Sequence, residues 1–160
     1  MKLDFAERSQ PHVNVTAHPT AVWVIQQLRE AFPFETRPRY LLLDRDSIFS
    51  AEVCHALRGM QIQPLRTAYQ SPWQNGVAER WIGTCRRELL DHVIVLNEEH
   101  LGRLLREFLA YYHDDRTHVS LGKDPPARRA VCPRPSSTAE IASLPRVGGL
   151  HHRYEWEEAA

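Results

Sequence analysis

Tyr40, Leu41, Leu42 and Leu43 form an unbroken apolar run that stops at Asp44, with an amphipathic segment on either side. A run this short, bounded by a Pro-containing stretch and an acid, reads as a buried strand meeting a functional or solvent edge. Helical spacing flanks it. Ala21, Val24, Ile25, Leu28, Ala31 and Phe32 predict a helix over 20–32 that Pro33 ends, and Val53, Ala56, Leu57 and Met60 predict another over 50–60. Residues 12–16 and 62–67 alternate as strands do. The turn formers of QSPWQNG open a helix over about 76–91, and Leu101, Leu104, Leu105, Phe108, Leu109 and Tyr112 mark the core face of a last helix over 97–112. Beyond Val119 loops dominate, with one weak strand-like piece before the acidic end. Strand and helix alternate, so the class is α/β, with three evident strands.

With 160 residues, one compact domain is expected. Twenty basic residues balance twenty acidic ones, which excludes attraction to nucleic acid or anionic membranes by net charge and leaves only local patches. Eighteen of the twenty are Arg, which suits multidentate phosphate contacts and equally reflects genome composition. Cys54, Cys85 and Cys132 are widely spaced, match no zinc pattern and fit a reducing compartment. No apolar run approaches a membrane span and residues 1–10 are charged, so a cytoplasmic protein without membrane contact is expected.

Asp44 closes a strand and Glu79 lies in the first turn of a helix 35 positions on. Both are rigid places from which carboxylates can hold a shared metal, as two-ion phosphoryl transfer requires. Each also has an ordinary role, Asp44 as a turn residue and Glu79 as a partner of the helix dipole. Their surroundings, LLLDRDSIF and SPWQNGVAERWIGTCRREL, resemble the catalytic core of retroviral-type integrases and insertion-sequence transposases, and YYHDDRTHVSLGKDPPAR resembles the ending of its bacterial members. The resemblance covers about residues 12–129.

That resemblance implies an RNase H-like fold, DNA integration or transposition by metal-dependent strand transfer, and an Asp-Asp-Glu triad. The second acid looks like Asp44, with Phe49 downstream, and the third looks like Glu79, set among Asn75, Gly76 and Arg80 with Glu88 following. Asp44 and Glu79 are then the catalytic residues and the ligands of Mg²⁺ or Mn²⁺. DNA contacts are expected from Asn75, Arg80, Thr84, Arg86, Arg87 and Arg116, although arginines paired with Glu88 and Asp91 also make an ordinary solvated face. Trp73 and Trp81 are expected as core or surface-anchor aromatics.

The first acid of the family belongs on a strand that two more strands follow before the first helix. Here the strand-like segment 12–16 resembles the third of these, and only eleven residues precede it. The expectation is therefore residues 1–11 as a non-homologous segment, 12–130 as a partial core lacking its first two strands, and 131–160 as a tail. Asp4 is the one upstream acid of the right type, and a triad through it would skip a strand. An inactive truncated transposase fragment with weak or absent metal binding is expected. The alternatives are a frameshift partner of an upstream segment and a non-enzymatic DNA- or transposase-binding module acting by mixed oligomerisation. DNA, a second copy or full-length transposase are the partners implied.

Overall fold

The computed structural model describes residues 12–35 and 37–158. Residues 1–11, Asp4 included, lie outside them. The described residues divide into two compact units, one ending at Glu98 and one beginning at Glu99. Among them no helix is long and apolar enough to cross a membrane.

The first unit holds helix α1 (Ala21–Ala31), strand β1 (Tyr40–Leu43), helix α2 (Ala51–Gly59), strand β2 (Gln63–Arg66) and helix α3 (Gly76–Glu88). Thr20 Oγ1 accepts the Trp23 N–H at 3.2 Å and Ser50 Oγ accepts the Val53 N–H at 3.4 Å, so both early helices start on side-chain caps. β1 and β2 pair in parallel with Leu42 opposite Leu65, and α2 makes the crossover between them. Ile25, Leu43, Val53, Cys54, Leu57 and Ile62 form the core, so the inward face of β1 is covered by the two helices. Tyr40, Leu42 and Leu65 on the other face stay exposed.

Residues 12–16 do not form the expected strand. No ladder reaches them; instead His12 Nε2 lies 2.8 Å and Asn14 Nδ2 2.9 Å from Gln27 Oε1, which lashes the segment to α1. Alternation marks an extended chain, and a strand also needs a neighbour with free backbone groups. α3 stops three residues before its expected end, because Leu89 leaves helical torsions at φ −131°, ψ −66°.

The second unit contains helix α4 (Glu98–Asp114), which begins at the boundary, and strands β3 (Glu140–Arg146) and β4 (His151–Glu157). The strands form an antiparallel hairpin, with Ile141 opposite Trp156, where one weak strand was expected in the tail. Its turn needs positive φ at Val147, Gly148 and Gly149. Tyr111 of α4 stacks on His151 of β4 with centroids 4.3 Å apart and planes 6° from parallel. The α/β architecture stands, and the sheet of the first unit has two strands among the described residues.

Candidate functional site

The carboxyl ends of β1 and β2 carry the site. Thr67 N–H donates to Leu43 O at 3.0 Å and continues the parallel pairing one step past β2, while Arg45 Nε donates to Thr67 O at 2.9 Å. These bonds hold the two strand ends together just where Asp44 emerges. Asp44 Oδ1 accepts the Asp46 N–H at 2.9 Å and Asp46 Oδ1 accepts the Ile48 N–H at 2.9 Å. Two successive Asx turns thus lead the chain into α2 and fix the Asp44 carboxyl by its own backbone.

Beyond Thr67 the chain folds back through a short connection. Ala68 N–H donates to Gln74 Oε1 at 2.7 Å, Ser71 Oγ donates to Tyr69 O at 3.2 Å, and Gln70 takes a left-handed φ of 53°. A 3-10 turn at Pro72–Asn75 then runs into α3, whose first turn holds Glu79. Asn75 occupies the N-cap position without a side-chain capping bond. Asp44, Thr67, Tyr69, Ser71, Asn75 and Glu79 line one open cleft of about 250 Å³. Both acids are exposed, and among the described residues nothing hydrogen-bonds or ion-pairs with the Glu79 carboxylate. Two carboxylates and the hydroxyls of Thr67, Tyr69 and Ser71 supply oxygen donors, the chemistry that hard divalent cations prefer, and Arg45 lies in the same lining. No group of three His, Cys, Asp or Glu residues able to hold a metal ion occurs among the described residues.

Of the residues expected to meet DNA, Asn75 lines the cleft and Arg80 is exposed one position from Glu79. Arg86 pairs with Asp91, its Nε 3.7 Å from Oδ1. The Arg87 guanidinium folds back over its own helix, so that a Cβ added at Gly83 would stand 3.0 Å from Nη1. Thr84 is buried, at 7% exposure. Helical spacing puts it beside Arg80 and Arg87, but a short side chain there sits below the surface that long arginines reach past. Its neighbour Cys85 is buried as well, and burial pushes its thiol up to about 11. Arg116 belongs to the second unit, where it lies 5.3 Å over the Tyr112 ring with Nη1 3.3 Å from His118 Nδ1.

Of the two tryptophans expected as core or surface-anchor aromatics, Trp73 lies at the surface, with 73% of it exposed, and Trp81 is half-buried. Sequence reasoning passed over Tyr69, Thr67 and Ser71 as cleft residues. The signal was the density of turn formers just before the Glu79 helix, since connections that carry function sit at strand ends.

Residues 60–126 match the family model described as integrase core domain. A chain of the cryoEM structure of the simian T-cell lymphotropic virus intasome in complex with PP2A regulatory subunit B56 gamma shares the fold, with a TM-score of 0.51 at 20% identity over 89% of this chain. The match takes in 54% of that chain, so this protein spans about half its length. No curated protein matches.

Proposed function

We propose that the chain carries an integrase core domain of the retroviral-integrase and transposase superfamily, a reading supported by the match over residues 60–126 and by the shared fold, and that its cleft is part of a metal-dependent DNA strand-transfer site. The observation that carries this reading is the meeting of Asp44 and Glu79 in one cleft. Asp44 is the second acid and Glu79 the third, and together they hold one Mg²⁺ or Mn²⁺. When bound, such an ion lowers the pKa of a water or a DNA 3′-hydroxyl and neutralises charge on the phosphate under attack. Asp44 is oriented by its Asx turn and Glu79 by the first turn of a helix, so neither carboxylate has to search for the ion. Asn75 and Arg80 beside Glu79 position the phosphate backbone, and Arg87 extends that contact along the same helix. Thr84 contributes packing.

Two-ion chemistry uses a further carboxylate that bridges both metals, and among the described residues the cleft is lined by two acids. Binding of one ion and of DNA is accordingly the expected activity of this part of the molecule, and strand joining waits on a third acid. Mn²⁺ titration followed by electron paramagnetic resonance tests the site: one ion should bind weakly, and Asp44→Asn or Glu79→Gln should abolish it. Unchanged binding in both variants would remove the assignment. A gel assay for Mn²⁺-dependent nicking and joining of duplex DNA by the whole polypeptide should give no product. Product that depends on Glu79 would show that the chain completes its own triad.

A further inference from the structure

We infer that Arg45 is a phosphate-binding residue of the cleft, gripping a DNA phosphodiester beside the Asp44 and Glu79 carboxylates, an inference that rests on reading the cleft as a metal-dependent DNA site. Arg45 follows Asp44 directly and lines the cleft with both acids. Its Nε donates to Thr67 O at 2.9 Å, which pins the guanidinium where β1 and β2 end. That bond uses one side of the fork. Among the described residues Nη1 and Nη2 have no partner, and no ion pair joins Arg45 to Asp44 or Glu79. Arg66, at the end of β2, is by contrast spent on Phe49 O, and Arg86 on Asp91. An exposed arginine that shares a cleft with two carboxylates and pairs with neither is a cation already oriented, with donors to spare.

Charge selects what those donors meet. Of the residues lining the cleft, Asp44, Glu79 and Arg45 are charged, so the lining carries one net negative charge and repels anions. A divalent ion held by the carboxylates reverses the sign and leaves one positive charge, the counterpart of the one negative charge on a phosphodiester. Arg45 therefore takes hold of DNA once the acids are neutralised, and metal and DNA each strengthen the binding of the other. A guanidinium suits this place because its planar fork keeps one N–H on Thr67 O while the others face phosphate oxygens; an ammonium offers a point charge without that fork.

The test measures fluorescence anisotropy of labelled duplex DNA bound to the full chain, in EDTA and at fixed Mn²⁺, with KCl varied. Mn²⁺ should strengthen binding by wild type roughly 10-fold, the span of a charge-assisted contact. Arg45→Ala should lose most of that gain, and its plot of log affinity against log salt should be shallower by about one. Arg45→Lys should keep the wild-type slope at lower affinity, since it keeps the charge and loses the fork. Electron paramagnetic resonance without DNA should show Arg45→Ala binding Mn²⁺ at least as tightly as wild type, because a repelling cation has gone. An Arg45→Ala protein with the wild-type slope and the wild-type gain from Mn²⁺ overturns the inference and leaves the metal assignment standing. Loss of Mn²⁺ binding in Arg45→Ala without DNA also overturns it, by showing that Arg45 acts only as the brace on Thr67. DNA binding by wild type that ignores Mn²⁺ removes the reading of the cleft as a metal-dependent DNA site, and the inference with it.

Discussion

Asp115 shows how much a single residue can organise. Its side chain is 3% exposed and meets Arg146 Nε at 2.6 Å, Arg153 Nη1 at 3.2 Å and Arg129 Nη1 at 3.6 Å. A carboxylate this deep is tolerable only when paired, and the three arginines bring together the end of α4, the loop after it and both strands of the hairpin. Asp115→Asn leaves the guanidinium groups without their anion, and Arg153 Nε already lacks a hydrogen-bond partner. Loss of about 2 kcal/mol is expected by urea denaturation, below the full cost of breaking a buried pair because the arginines are about a third exposed. His113, nearby in sequence, is held below its ordinary 6.5, first by burial and then by His118, with Asp114 working the other way. A depressed histidine value means the unfolded chain takes up the proton first. The stability concerned is complete above about 6.5 and lost as pH falls through the lowered value. Melting temperatures measured from pH 7.5 to 5.5 should fall more steeply for wild type than for His113→Gln.

The elements of the first unit owe their form to patterns that a reader of the chain can follow. α1 and α2, and in the second unit α4, lie where apolar residues recur at helical spacing, and Thr20 and Ser50 supply hydroxyl caps to the first two. Leu57 sits at the centre of α2 with no exposed surface, against β1 and α1 in one cluster. Leu57→Ala should therefore cost about 2–5 kcal/mol in chemical denaturation, with the midpoint shifting and the slope unchanged. Residues 12–16 show where patterns fail. Their alternation is genuine, yet they bond to Gln27 side-chain atoms because strand identity depends on a partner that lies outside the segment. The β3–β4 hairpin failed in the other direction. Pro145 and the charged residues of β4 blur its alternation, and its pairing comes from register across a turn at Val147–Gly149.

Across the whole molecule, two units carry separate burdens. The acids and the connection between β2 and α3 belong to the unit ending at Glu98, and the arginine-bound Asp115 and the hairpin to the unit beginning at Glu99. The amino-acid order alone determined the α/β class and the position of β1 before an acid, and it carries the motifs by which Asp44 and Glu79 resemble a metal-dependent family, because periodicity and motif spacing are local properties. Tertiary structure decided the rest. Parallel pairing of β1 with β2 and the turn at Pro72–Asn75 bring the two carboxylates to one cleft, while Thr84 is buried and Trp73 left in water. Periodicity says which residues share a face of their own element; what covers that face depends on other elements, and no spacing within a segment encodes it.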